Sequence, residues 1–184
     1  VITHGKSRFA TDPAQWKSRL ERFLDAQPGA QGPVTVEDLC LPPASGGASS
    51  GTIIFTANYA ATGRSEKLVL RYDPGESQTH EYDMVGQYQL LRALEDTEVP
   101  SPPVFGLDAS GEYFGVPGFI MSYIDGTALP STYPVGGLLF DATPAARTAI
   151  VREIVTAMAK VHEVDWRSKK LDLITRQGKG QTAL

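Results

Sequence analysis

Apolar residues recur at helical spacing in three stretches of the 184-residue chain. Residues 12–26 form the first, in which Asp12 is a suitable N-cap and Pro13 occupies the first helical position. Its apolar face consists of Trp16, Leu20, Phe23 and Leu24. The second stretch, residues 76–96, carries Met84, Tyr88, Leu91 and Leu94. The third begins at Thr143 and Pro144 and has a one-sided stripe of Ile150, Val151, Ile154, Val155, Met158 and Val161.

Shorter runs with the composition of strands lie between these helices. Three of them, Val34–Leu39, Thr52–Ala60 and Lys67–Tyr72, are bounded by Gly, Pro or Ser clusters. The segments "VPSPPVFGLD" and "GVPGFIMSYIDG" predict two more strands after the second helix. The order of elements predicts an α+β lobe that continues into a helical region.

Composition and charge restrict the function classes. A formal net charge of -4 gives no sign of a nucleic-acid surface or a polybasic membrane patch. Cys40 is the single cysteine, which fits a reducing compartment, and its ordinary interpretation is a small apolar residue. The first residues lack the apolar core of a signal peptide. We therefore expect a soluble, cytoplasmic protein that binds neither nucleic acid nor membrane.

The stretch "SGGASSGTIIF", residues 45–55, contains a glycine-rich loop. Gly46 and Gly51 have Walker A spacing, but Thr52 and Ile53 stand where that motif needs Lys and Ser or Thr. The dinucleotide fingerprint fails as well, since the loop precedes a strand and not a helix. Two interpretations remain open: a loop that lays its backbone N–H groups over a nucleotide, or a plain hairpin of small residues.

Two later strands contain residues that suit a nucleotide. In "KLVLRY", alternation places Val69 and Arg71 on one face, and adenine and phosphates need such a pair of an apolar residue and a cation. Taken alone, an arginine at a strand end is more often a surface charge. In "FIMSYIDG", an apolar strand leads to a link ending at Asp125 and Gly126. Such a link can offer a backbone C=O and N–H to the edge of an adenine.

With these parts in order, the sequence resembles the aminoglycoside phosphotransferase and choline kinase family, whose fold is protein-kinase-like. The nearest branch in this resemblance includes aminoglycoside phosphotransferases and the kinase-like domains fused to some acyl-CoA dehydrogenases. The matching segments are "SGGASSGTI", "LVLRYDPG", "YQLLRALEDTEVPSPPVFGLD", "GVPGFIMSYIDG" and "AMAKVHEVD". The resemblance implies a helical extension over 1–30, a nucleotide-binding N-lobe of antiparallel sheet plus one helix over 31–123, and over 124–184 a hinge and the first helix of an incomplete helical C-lobe.

The resemblance also implies roles for individual residues. The nucleotide loop is assigned to Ser45, Gly46, Gly47, Ala48, Ser49 and Ser50. Val69 lines the adenine pocket, Arg71 binds phosphate and Met121 is the gatekeeper behind the adenine. The hinge is formed by Ser122, Tyr123 and Ile124, with the C=O of Ser122 and the N–H of Ile124 as its hydrogen-bonding groups.

Gln87 departs from the family pattern. Many members have a Glu at this helix position, and that Glu pairs with the phosphate-binding cation. The Gln87 amide could accept a hydrogen bond from Arg71 or serve only a structural role, and its spacing places it on the buried stripe. Glu81 is expected to face solvent.

The family's H-G-D-x-x-x-x-N catalytic loop and D-W-E-like metal motif have no credible counterpart in the sequence. Asp165 is interpreted as a surface residue at a helix end, and His162 as a packed or capping residue and not a base. We therefore expect no catalytic or metal-binding residue in this chain, and a chain that is inactive alone. The Mg²⁺ ligands and the chemistry are expected beyond Leu184.

Three functions remain open from the sequence. The first is an ATP-dependent phosphotransferase that uses Mg²⁺ and transfers the γ-phosphate to a small-molecule hydroxyl. The second is a nucleotide-binding or regulatory module without catalysis, and the third is an interaction protein whose glycine loop is only a hairpin. The sequence does not identify the phosphate acceptor or the oligomeric state.

Overall fold

The computed structural model describes residues 12–41, 50–74, 83–126 and 138–171. In chain order the elements in these ranges are α1 (Pro13–Asp25), β1 (Val34–Cys40), β2 (Gly51–Tyr59), β3 (Arg64–Tyr72), α2 (Met84–Leu94), β4 (Val104–Asp108), β5 (Gly118–Ser122), α3 (Leu138–Asp141) and α4 (Pro144–Glu163). The strands form one sheet in the order β1-β2-β3-β5-β4, and every neighbouring pair is antiparallel. The predicted α+β class is confirmed.

Helix α1 begins where its capping residues predict. The Asp12 carboxylate accepts the backbone N–H of Ala14 at 2.9 Å, and Pro13 is the first helical residue. The four residues of the predicted apolar face are buried. At its far end, the Phe23 ring packs on Phe114 with centroids 4.7 Å apart. Because it buries this face, α1 closes one side of the sheet.

The sheet has two faces with different covers. On the first, strand residues pack in one cluster with α1; they include Ile53, Phe55, Leu68, Leu70 and Ile120. The second face carries Val69, Arg71, Phe119 and Met121, and we call it the α2 face because α2 packs on it. Met84 of α2 is buried there with Phe119, and the Tyr88 ring meets Phe119 at a centroid distance of 6.1 Å. Helix α2 thus lies over the β5 and β4 side of this face.

Carboxylates from α1 and from the C-cap of α2 accept backbone N–H groups at the two edges of the sheet. On β1, the N–H groups of Val34 and Val36 donate to Asp25 at 2.7 Å and to Glu21 at 3.0 Å. On β4, the Val104 N–H donates to a carboxylate oxygen of Glu95 at 2.8 Å. A free edge N–H is a template for pairing with another strand. These carboxylates therefore oppose strand addition at both edges.

Helix α2 begins at Met84, and the preceding part of the predicted helix, including Glu81, lies outside the described residues. Asp83 caps it by accepting the Gly86 N–H at 2.7 Å. Helix α4 begins as predicted, with Thr143 accepting the Ala146 N–H at 3.2 Å. Among the described residues, no helix combines the length and apolarity needed to cross a membrane.

The apolar stripe of α4 is exposed. Five of its six residues are 44–59% exposed, and no α4 residue is buried. Ion pairs join this region to the loop after α2. Lys160 Nζ lies 3.5 Å from Glu98 Oε2, and Lys169 pairs with Asp96. The hydrogen bond from Lys169 holds the pKa of the Asp96 carboxyl below its usual value.

Asp108, at the end of β4, organises the connection to β5. Its side chain is buried and accepts three backbone N–H groups, from Glu112 at 3.0 Å, Tyr113 at 2.8 Å and Phe114 at 2.9 Å. Phe114 is buried together with its N–H, and a buried backbone donor needs such an acceptor. This carboxylate therefore fixes the turn that presents Phe114 to α1.

Replacement of Asp108 by Ala leaves those three donors without their acceptor. We expect the free energy of unfolding to fall by roughly 2–4 kcal/mol, since an unsatisfied buried donor costs about 1–3 kcal/mol. Urea unfolding measures the loss, with Asp125→Ala as the control because Asp125 is exposed. Equal stability of the two variants would contradict this role.

Candidate nucleotide site

The structure describes the last residue of the predicted loop and the strands that follow it. Ser45, Gly46, Gly47, Ala48 and Ser49 lie outside the described residues. Ser50 is buried and directly precedes β2. The geometry of the site therefore rests on Ser50, the α2 face and the end of β5.

An apolar row crosses four strands on the α2 face. Ile54 of β2 is the register partner of Val69 of β3, Val69 is the partner of Met121 of β5, and Met121 is the partner of Val104 of β4. Register partners in antiparallel strands point to the same side. The row is covered by α2 at Val104 and Met121, while Ile54 stays half-buried at the β2 end. The register thus brings together Val69 and Met121, to which the resemblance assigns the adenine pocket, and that assignment stays a prediction.

A second row contains the cation. Thr52, Arg71 and Phe119 are register partners, two residues along each strand from the apolar row. This step corresponds to roughly 7 Å. The Arg71 guanidinium donates through Nη2 to the Ser50 hydroxyl at 2.5 Å. Its Nε is buried and has no hydrogen-bond partner among the described residues.

Gln87 lies half-buried on α2, as its spacing predicts. Within the described ranges, its side chain forms no hydrogen bond with Arg71, whose Nη2 is engaged by Ser50. The pairing of Gln87 with Arg71 therefore stays a prediction for a ligand-bound state.

The predicted hinge begins at Ser122, the last residue of β5. The Ser122 N–H donates to the Pro103 carbonyl at 2.9 Å, and the Tyr123 N–H donates to the Lys67 carbonyl at 3.1 Å. Lys67 also places its ammonium over the Tyr123 ring, 4.1 Å from the centroid. Ile124 is 65% exposed, and its N–H has no acceptor among the described residues. An N–H at this point of the chain can donate to a ligand.

Sequence reasoning missed Ile54 as a site residue. The strand alternation that paired Val69 with Arg71 could also have been applied to β2, where Thr52 and Ile54 share a face that Ser50, just before the strand, continues. What the sequence could not supply was the register between the two strands, which aligns Ile54 with Val69.

Gly51 links the base of the loop to α1. A Cβ at this position would lie 2.2 Å from the ring atom Cζ of Tyr72, so only glycine fits beneath this ring. The Tyr72 ring in turn packs on Trp16 of α1, with centroids 5.0 Å apart. The backbone that follows the predicted loop is therefore held by aromatic packing.

Two residues that the sequence did not assign to the site, His162 and Asp165, lie at and just after the end of α4. The Asp165 carboxylate is exposed and accepts the N–H groups of Arg167 and Ser168 at 3.2 and 3.3 Å. The hydrogen bond from the Ser168 backbone holds the pKa of Asp165 below its usual value. Of the two positions considered for His162, the packed one is wrong, because the residue is exposed in the last turn of α4, and the capping one stays a prediction. Cys40 is also exposed, at the end of β1.

Comparison with known proteins identifies the fold. A protein from Ralstonia eutropha, described as a "putative aminoglycoside phosphotransferase", superposes with a TM-score of 0.60 and 25% identity. The match covers 88% of this chain and 42% of that protein. This chain has an aminoglycoside phosphotransferase-like fold. The resemblance drawn from the sequence is thereby confirmed, and the five-stranded sheet with α2 corresponds to a kinase-like N-lobe.

Two curated proteins match at lower coverage. The chain is 30% identical over 115 residues to "Probable acyl-CoA dehydrogenase IBR3" of Arabidopsis thaliana, and 27% identical over 113 residues to "Acyl-CoA dehydrogenase family member 10" of Mus musculus. Each match spans 61% of this chain but only 13% and 10% of those proteins. No family model matches the chain.

The packing at Gly51 leads to a stability prediction. Gly51→Ala forces the Tyr72 ring away from Trp16, and we expect a loss of about 1–3 kcal/mol in the free energy of unfolding. Gly29→Ala is the control, because no atom lies within 4 Å of a Cβ built there. In a Tyr72→Leu background the added methyl group should cost much less, and an equal cost in both backgrounds would contradict the proposed contact.

Proposed function

We propose that this chain is the nucleotide-binding part of an ATP-dependent phosphotransferase acting on a small-molecule hydroxyl. One observation carries the proposal: the apolar row of Ile54, Val69 and Met121 lies directly beside the row that contains Arg71. An adenine ring needs an apolar surface, and the phosphates attached to it need a cation at a short distance. The phosphotransferase-like fold supports the same assignment.

In this proposal different residues bind the base and the phosphates of the nucleotide. Ile54 and Val69 contact the base, and the N–H of the exposed residue Ile124 donates to the edge of the base. Arg71 holds the phosphates, for which its planar donors are well suited. The backbone after Ser50 is packed against Tyr72, so the start of β2 is held in place before a ligand arrives.

Mg²⁺ accompanies the nucleotide in the proposed reaction and neutralises phosphate charge. Within the described ranges, no three His, Cys, Asp or Glu side chains are grouped so that they could hold a metal ion. In this proposal Ile54, Val69, Ile124 and Arg71 bind and orient the nucleotide, and other groups of the whole protein hold the metal and the acceptor hydroxyl.

A nucleotide-binding module without phosphoryl transfer is the second candidate. It is favoured by Gln87, which supplies a neutral amide on α2 and forms no hydrogen bond with Arg71 among the described residues. Both candidates predict nucleotide binding, but only the first predicts phosphorylation. Incubation of the whole protein with Mg-ATP and a panel of hydroxyl acceptors, with phosphorylated products detected by mass spectrometry, separates them.

Arg71→Ala tests the phosphate site. We expect about 10- to 100-fold weaker binding of ADP, since a hydrogen bond to a charged group contributes about 1.5–3 kcal/mol. Adenosine, which lacks phosphates, should bind equally well to the wild type and the variant. Isothermal titration calorimetry on the 184-residue chain measures both affinities.

Arg64→Ala is the matched control, because Arg64 lies at the opposite end of β3, roughly 23 Å from Arg71. Wild-type protein that binds neither ADP nor adenosine would overturn the proposed function. An equal loss of ADP affinity in Arg64→Ala would show that the effect does not come from the site.

Ile54→Phe tests the base site, since its larger ring occupies the space beside Val69. We expect adenosine and ADP to lose affinity by the same factor, about tenfold or more, because both would have to displace the added ring. The control is Thr35→Phe, which adds the same ring to an exposed position of β1. A selective loss of ADP alone would contradict the assignment of this row to the base.

A further inference from the structure

We infer that Ser50 is a positioning residue, whose hydroxyl fixes the Arg71 guanidinium in the direction of the phosphates. This inference rests on the proposed function. It gives a role to the Ser50 hydroxyl, which has none in the base and phosphate sites proposed above. Ser50 is 7% exposed and accepts a hydrogen bond from Arg71 Nη2 at 2.5 Å. A buried hydroxyl this close to a cation restricts the rotamers that the cation can adopt.

The backbone that carries Ser50 is itself restrained. Its neighbour Gly51 begins β2 and pairs with Tyr72, whose ring lies against Gly51 and packs on Trp16. Thr52, two residues from Ser50 and on the same face, is the register partner of Arg71. The Ser50 hydroxyl is therefore held at the start of β2, next to the Arg71 side chain on β3.

The hydroxyl orients Arg71 without neutralising it. None of the ion pairs among the described residues includes Arg71. By contrast, Arg64 pairs with the carboxylate of Glu66, and Arg92 pairs with that of Glu95. A carboxylate at Arg71 would compete with an anionic ligand for the same donors. A neutral acceptor leaves the positive charge available, and Nε still lacks a partner in the described part of the chain.

The expected ligand dependence is specific. If Ser50 acts through Arg71, its removal weakens ligands that carry phosphates and leaves ligands without them unchanged. A residue that only stabilised the fold would affect ADP and adenosine alike. The ratio of the two dissociation constants therefore reports positioning and is insensitive to a general loss of stability.

The experiment is a double-mutant cycle on the 184-residue chain, read by calorimetry with ADP and adenosine as probes. Ser50→Ala should weaken ADP by about 2- to 10-fold, the range of a single net hydrogen bond, and leave adenosine unchanged. In the Arg71→Ala background, Ser50→Ala should cause no further loss. Ser50→Thr keeps the hydroxyl and should retain most of the ADP affinity. Ser65→Ala, at an exposed position of β3, is the control for a serine truncation.

The outcomes separate this inference from the proposed function. ADP binding that depends on Arg71 but not on Ser50, or additive losses in the double mutant, overturns the positioning role and leaves the nucleotide site intact. Absence of ADP and adenosine binding in the wild type overturns both. If Ser50→Ala does not fold, Ser50→Cys supplies a weaker acceptor of similar size, and a selective but partial loss of ADP affinity is then expected.

Discussion

The register of β3 against its two neighbours determines where every candidate ligand contact lies. It aligns Ile54, Val69 and Met121 in one row and places Arg71 in the next. A slip of one residue would turn Arg71 toward the buried cluster under α1 and bring Leu70 to the α2 face. Burying an arginine there without a partner is costly, so the same cation that serves the site also disfavours the wrong register.

Aromatic packing from α1 connects this register to the base of the predicted loop. Trp16 supports Tyr72, and the Tyr72 ring occupies the space that a side chain on Gly51 would need. Although α1 lies on the face opposite the site, it therefore restrains the residue that precedes β2. Stability of the sheet and geometry at Ser50 depend on the same contacts.

Local patterns predicted the parts of the fold that depend on neighbours in sequence. Asp12 and Pro13 located the start of α1, and alternation in β3 placed Val69 and Arg71 on one face. These signals work because capping and pleating involve only adjacent residues. Spacing along the second helix likewise placed Gln87 on the stripe that faces the sheet, where the structure finds it half-buried.

The remaining features depend on contacts between distant segments, and the sequence did not reveal them. The alignment of Ile54 with Val69 follows from strand register, and the need for Gly51 follows from the Tyr72 ring on the neighbouring strand. The sequence marked Asp108 only as the last residue of a strand, whereas its carboxylate accepts three backbone N–H groups of the turn before β5. A hydrophobic stripe also predicted α4 without showing that Val155 and its neighbours are exposed.

Arg71 differs from the other paired cations in a way that bears on function. Surface ion pairs such as Lys17 with Glu21 and Lys160 with Glu98 contribute little to stability, because water screens both charges. Arg71 is partly buried and faces a hydroxyl, so the fold tolerates a charge that none of the described carboxylates neutralises. Such an arrangement is unfavourable for the free protein and favourable for an anionic complex, since the ligand then supplies the missing negative charge.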